Sequence, residues 1–286
     1  MSDSFKITQS EIRAFNNIEL SNAGQFSNNS FWYYTSADTA QKILSGKCFY
    51  ASCLKRMNDL GEIKLHDGMK DHVHALCFVN SNSEKIPMWY LYGGITGSGV
   101  SLNITPGNMI KFIQSIKTVN PVNDDKKKLI IGKDIEMQYG WIYYRKPNQN
   151  KYSQVFYKNK WYTVDDTDGF ENNNYFIKDY DWNYEKEFRL VFINKTGTPY
   201  EILKISFDDE LLKKIKIKLA PEINSEIKDT LLRSDGVMKW AEANIQKSEI
   251  GIEMDLLGRN KESIINFIMS KTDKLSKEDF NSMFKS

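Results

Sequence analysis

Cysteine is scarce: Cys48, Cys53 and Cys77 are the three in 286 residues, and no two stand in a C-x-x-C pair. So odd and sparse a set builds no disulfide framework, and the thiols are expected to be free and mostly buried. Histidine is as rare, with His66, His72 and His74 close together and none in H-E-x-x-H or H-x-x-x-H spacing. His72 and His74 could flank a metal, but zinc sites recruit three or four spaced ligands, so no metal is expected. Chemistry that requires a catalytic histidine has few candidates. Six prolines and 16 glycines exclude a collagen-like or low-complexity chain. No apolar run approaches the ~18–20 residues of a membrane span. Residues 1–6 lack the apolar stretch of a secretory signal, so a soluble, cytoplasmic protein without a membrane partner is expected. There is no G-x-x-x-x-G-K-[ST] phosphate loop and no G-x-S-x-G elbow. The Gly-rich run at residues 93–99 precedes a strand instead of opening a helix, and reads as a connecting loop.

What is present describes a globular chain, with 41% hydrophobic and 27% charged residues. Basic and acidic residues balance at 39 to 37, which neither requires nor excludes a nucleic-acid partner. Arginine is limited to Arg13, Arg56, Arg145, Arg189, Arg233 and Arg259, so an Arg beside a candidate site carries weight. One domain over residues 1–286 is expected: a helix and linker at 1–30, a core at 31–220 with an insert at 146–184, and a mostly helical part at 221–286. Residues 31–35 are all β-favouring, and Ser36 then caps a helix ending near Gly46. Strands follow at 48–52, 74–79 and 99–104, with one or two helical turns at 87–92. Thr105-Pro106 opens a helix to residue 117. Residues 128–131 and 141–144 read as strands, and 146–184 mostly as loop with one helix. Strands return at 187–193, 201–206 and 215–219, followed by helix over 223–247 and a last strand at 249–253. Helices at 260–271 and 276–284 close the chain. Strict βαβ alternation is missing, so the fold class is α+β, with a mixed or antiparallel sheet in two layers.

One segment stands out, Trp182-Asn-Tyr-Glu-Lys-Glu-Phe-Arg-Leu-Val-Phe192. Strand alternation would send Glu185, Glu187 and Arg189 to one face and Phe188, Leu190 and Phe192 into the core. Three charges on a strand face describe a solvated edge equally well. Otherwise they describe a carboxylate held by a neighbouring Arg and aimed into a cleft.

Several ordered motifs resemble a bacterial domain-of-unknown-function family, number 2971. They are Phe31-Trp-Tyr-Tyr-Thr-Ser36, Cys48-Phe-Tyr-Ala-Ser52, Met57-Asn-Asp-Leu-Gly-Glu62, Leu76-Cys-Phe78, Met88-Trp-Tyr-Leu-Tyr-Gly93 and Tyr184-Glu-Lys-Glu-Phe-Arg189. The resemblance covers roughly residues 31–220, and where the family has a Pro in N-D-P-x-E this chain reads Asn58-Asp-Leu-Gly-Glu62. The order of the motifs is also remotely similar to that of mono-ADP-ribosyltransferases, including toxins that modify DNA bases. That second resemblance implies an ADP-ribosyltransferase-like fold and NAD as substrate. Glu187 would be the catalytic carboxylate and Glu185 the base for the acceptor. Tyr33, Tyr34, Thr35, Tyr50, Ser52 and Asn58 would contact NAD. The first motif has neither the His nor the Arg of that superfamily.

Glycosidic cleavage of NAD develops positive charge on the ribose, which a carboxylate stabilises without a metal or a histidine. The insert adds Tyr152, Phe156, Tyr157, Trp161 and Tyr162 interleaved with Lys151, Lys158 and Lys160. Aromatics among cations suit single-stranded nucleic acid, with Trp161, Tyr162 and Arg189 as acceptor contacts. The same insert could instead pack its own aromatics or dock a protein. The expected function is therefore a toxin or phage-defence transferase acting on RNA or DNA, with an antitoxin as a further partner. Two other classes stay open: an inactive nucleotide- or protein-binding module, and a nuclease that holds a divalent metal on Asp59, Glu62, Glu185 and Glu187.

Overall fold

The computed structural model describes residues 29–57, 68–93, 99–124, 126–146, 152–157, 160–165, 175–220 and 245–248. The expected helix within 1–30, Asn58, Asp59, Glu62, His66, most of 223–247, the strand at 249–253 and both terminal helices lie outside these residues.

The chain divides into two compact units. The first comprises residues 1–33, 42–82 and 104–215, and the second residues 34–41, 83–103 and 216–286.

In the first unit the organising element is β3 (Val73–Ser81), an apolar strand buried along nearly its whole length. Along one edge it pairs antiparallel with β12 (Glu187–Asn194), from Glu187↔Val79 to Ile193↔Val73. Its other partners divide its length between them. β1 (Ser30–Ser36) takes Val79 to Ser81, and β2 (Cys48–Cys53) takes His74 and Ala75. Leu76, Cys77 and Phe78 lie where those two partners diverge. Beyond β12 comes β7 (Ile135–Trp141), and beyond β2 come β13 (Ile202–Ser206), β5 (Thr118–Pro121) and β6 (Leu129–Ile130). With a neighbour on each edge and cover on each face, β12 is buried at every position but Ile193.

A four-stranded sheet belongs to the same unit: β8 (Tyr143–Lys146), β9 (Tyr152–Tyr157), β10 (Lys160–Asp165) and β11 (Ile177–Asp179), in the order β10-β9-β8-β11. Its β9–β10 pair and β11 correct the loop expected for 146–184. One apolar cluster joins β8 and β11, through Tyr143, Tyr144 and Ile177, to Ala75 and Val191. The opposite face of β3 packs an aromatic cluster. Phe49 touches Tyr33, Phe78, Phe207 and Phe112 of α3 (Pro106–Ser115), with ring centroids 5.2–5.6 Å away. Thr105 precedes α3 as expected, but its side chain makes no capping bond.

In the second unit β4 (Gly99–Ile104) pairs with β14 (Lys216–Leu219), which pairs parallel with β15 (Ile245–Lys247). β15 replaces the last residues of the expected helix. Tyr34 packs edge-on against Trp89 of α2 (Ile86–Tyr92), and its hydroxyl accepts a bond from the Lys85 N–H at 2.9 Å. Gly93 and Gly99 touch backbone to backbone: a Cβ on Gly99 would lie 2.5 Å from the Gly93 carbonyl oxygen. The Gly-rich run therefore closes at its base where no side chain fits. The fold is mixed α+β with much strand and few helices among the described residues.

Candidate active site

The sequence places two carboxylates and an arginine within five residues, and the backbone decides how they meet. A 3-10 turn, Tyr180–Glu185, follows β11, capped by the Asp179 side chain on the Asp181 N–H at 3.0 Å. Lys186 then adopts a left-handed conformation with φ 47°, uncommon for a residue with a side chain. That residue caps the 3-10 turn and leads directly into β12. Glu185 thus sits in the turn, not on the strand, which corrects the simple alternation expected. It still reaches the same place.

Four charged side chains close on one another. Lys178 of β11 puts its Nζ 2.7 Å from Glu185 Oε2 and 2.8 Å from Glu187 Oε2. Arg189 Nε donates to the second oxygen of Glu187, Oε1, at 2.6 Å, and its Nη1 donates to the Tyr175 carbonyl at 2.9 Å. Exposures are 2% for Glu185, 4% for Glu187, 8% for Lys178 and 0% for Arg189. The solvated-edge reading is excluded by these values. Two negative and two positive charges cancel, as buried ions require. The Glu187 N–H donates to the Tyr144 hydroxyl at 2.7 Å. The Lys178 ammonium lies 5.3 Å from the Trp182 ring centre.

Burial alone would push the Glu187 carboxyl upward. The Arg189 and Lys178 charges, with bonds from Arg189 and the Cys77 thiol, outweigh it and hold the group well below the usual carboxylate range. Burial and the adjacent Glu187 carboxylate push the Cys77 thiol well up, so it stays protonated and donates. Burial likewise raises the Tyr144 phenol, with the Glu187 charge adding to it.

A carboxyl with a depressed folded-state pKa stabilises fully above its unfolded value of about 4.3 and loses that stability as pH falls toward the folded value. His74, buried with its Nε2 2.8 Å from the Tyr200 carbonyl oxygen, has a lowered pKa through burial. The unfolded chain takes up that proton first, near pH 6.5, so stability begins to fall there. Thermal melts should show two declines on acidification, the first absent in His74→Gln and the second reduced in Glu187→Gln. A flat profile between about pH 5 and 3 in the wild type would contradict the ionised, paired Glu187.

The first unit also brings part of the expected NAD set to this neighbourhood. Register puts Trp32, Val79 and Glu187 in one row across three strands. Cys77, one step along, stands opposite Arg189. Where β1 and β2 part, Tyr33 lies against Phe49 and Phe78, and its phenol is pushed up by burial, then by Cys77 and Tyr50. Tyr50 and Ser52 of β2 are half-buried, as is Cys77. Tyr34 and Thr35 fall in the second unit, both buried. Trp161 and Tyr162 lie on β10, paired with Phe156 and Val155. Arg189, expected at the acceptor, is instead fully enclosed. Lys178, Cys77 and Tyr144 were not assigned to the site from the sequence; for Cys77 the signals were the Leu76-Cys-Phe78 motif and parity, which puts it on the strand face of Ala75 and Val79. Among the described residues no group of three or more His, Cys, Asp or Glu stands close enough to hold a metal ion.

No curated protein matches the chain. A family model described as a protein of unknown function, DUF2971, matches residues 88–190. That stretch runs from Met88 in α2 through Lys178, Glu185, Glu187 and Arg189, and excludes the motifs at 31–62. The chain is similar to this family over the segment that supplies all four charges of the cluster.

Proposed function

We propose that the first unit carries an ADP-ribosyltransferase-like site, in which Glu187 acts on the nicotinamide ribose of NAD and ADP-ribose passes to a nucleic acid. The observation that carries this reading is the divided edge of β3. β1 and β2 part beside Cys77, Tyr33 and Tyr50 line the divergence, and an ionised carboxylate begins the strand on the other edge. The half-buried Cys77 is the path from the divergence to Glu187. As the glycosidic bond breaks, its electron pair leaves with nicotinamide, whose ring nitrogen becomes neutral. Positive charge develops on the ribose, and the carboxylate stabilises it. A nitrogen or oxygen of the acceptor then bonds to the ribose carbon and releases its proton. Tyr50 offers its ring face and hydroxyl to nicotinamide, and Tyr33, whose ring packs on Phe49 and Phe78, offers its hydroxyl. Arg189 serves by holding Glu187, not by touching the acceptor. Such an activity fits a toxin or defence effector, which in its own cell would be paired with an antitoxin.

A second reading has one specific observation in its favour. The cluster is already neutral, with a cation on each oxygen of Glu187, as suits a binding module that performs no chemistry.

The test is incubation with NAD labelled in its adenylate phosphate, in the presence of RNA, DNA or protein pools, while nicotinamide release is followed. Label should enter a nucleic-acid pool and survive chelator. Glu187→Gln should lower release on the order of 10²–10³-fold, the usual loss when one transition-state contact is removed. Tyr33→Ala should raise the NAD concentration required. Saturable NAD binding without release or transfer would favour the binding module. Undiminished release by a folded Glu187→Gln protein would overturn the assignment.

A further inference from the structure

We propose that Lys178 is the positioning residue of this site: from β11 its single ammonium bridges Glu185 and Glu187 and decides which of the two carboxylates can take up a proton. The inference rests on Glu187 being the acting carboxylate.

The geometry is specific. Arg189 occupies Oε1 of Glu187 and Lys178 occupies Oε2. A guanidinium does not give up its proton, so Arg189 supplies a constant charge. Lys178 differs, because it is shared. Its register partner on the parallel neighbour β8 is Tyr144, the residue whose hydroxyl meets the Glu187 N–H. Two adjacent strands thus aim at the first residue of β12, one at its backbone and one at its carboxylate. Trp182, in the turn that also carries Glu185, lies against the Lys178 ammonium. The titratable and charged groups facing Glu187 are Cys77 from β3, Tyr144 from β8, Lys178 from β11, Glu185 from the turn and Arg189 from β12 itself.

This arrangement gives Glu185 a different part from the acceptor base expected of it. At 2% exposure and bonded to Lys178, it acts through that lysine. Its charge keeps the ammonium in place. The ammonium in turn keeps Glu187 ionised, so that the carboxylate can accept a bond from a ribose hydroxyl and face a developing cation. Two like charges sharing a buried space would otherwise hold one proton between them.

The deciding experiment uses the full chain with Lys178→Met and Glu185→Gln combined, which removes one cation and one anion and leaves Glu187 with Arg189. The readout is titration of carboxyl-¹³C-labelled glutamate by NMR, with the Glu187 signal assigned by its disappearance in Glu187→Gln. In the wild type Glu187 should remain ionised well below the usual carboxylate range. In the double variant its proton affinity should rise about tenfold or more, and Lys178→Arg alone should keep the wild-type midpoint. The acid limb of nicotinamide release should move by the same factor. Should the methionine version fail to fold, Lys178→Gln with Glu185→Gln is read in the same way. An unchanged Glu187 midpoint in a folded double variant would overturn the proposal and leave Lys178 as packing. If the wild type releases no nicotinamide at all, the transferase reading fails, while the titration still decides the role of Lys178.

Discussion

Replacing Arg189 by Met should cost about 3–5 kcal/mol of folding stability, the range seen when one partner of a buried ion pair is removed. Arg189 has no exposed surface, and it binds both Glu187 and the Tyr175 carbonyl. Methionine fills similar volume, so the loss is mainly electrostatic. Glu187 keeps one cation where it had two, and the Tyr175 carbonyl loses its donor. Adding Glu187→Gln should recover part of the loss, because the surviving charge is then gone. Urea denaturation with an unchanged m-value measures both. A single substitution costing under about 1 kcal/mol would mean that the cluster opens to water in solution.

The second large effect is expected at Phe49. Its side chain is fully buried, and four aromatic rings surround it, from Tyr33, Phe78, Phe112 and Phe207. Phe49→Ala should cost about 3–5 kcal/mol, from lost transfer energy together with the cavity that stiff rings cannot close. Phe49→Met, which keeps more volume and adapts its shape, should lose less. Tyr33 borders the same cavity, so Phe49→Ala should also weaken NAD binding if Tyr33 contacts the ligand. A stability loss with unchanged binding would place Tyr33 in the core alone.

Elements with strong local signals were legible in the sequence. β1, β2, β3 and β12 are runs of β-favouring apolar residues. Helix α1 (Ala37–Gly46) was legible from Ser36, whose hydroxyl accepts from the Thr39 N–H at 3.3 Å, and from the buried Ala40, Ile43 and Leu44. What was missed depends on distant partners. β9 and β10 pair along six positions, but their aromatics are interleaved with polar residues and no Asn-Gly or Asp-Gly step stands between them. β15 exists as a parallel partner of β14, which nothing in its own three residues announces. The charge cluster was half legible. Glu185, Glu187 and Arg189 drew notice because they are close in sequence. Lys178 did not, because one lysine after Tyr175-Phe-Ile177 looks like a strand end turning toward water. The left-handed Lys186 defeated the alternation argument while leaving its conclusion, carboxylates brought together, intact.

The divided edge of β3 has a further consequence, in the order of synthesis. β1 and β2 leave the ribosome before β3 does, so both ends of that edge can be covered as soon as β3 emerges. The opposite edge waits for β12, which arrives about a hundred residues later, and closing so long a loop is slow. Throughout that interval β3 shows a bare row of backbone donors and acceptors flanked by Ala75, Leu76, Phe78 and Val79, the kind of edge that recruits strands from other chains. Yield of soluble protein should therefore depend on synthesis rate and chaperone supply more than on final stability, and a chain truncated before Glu187 should aggregate.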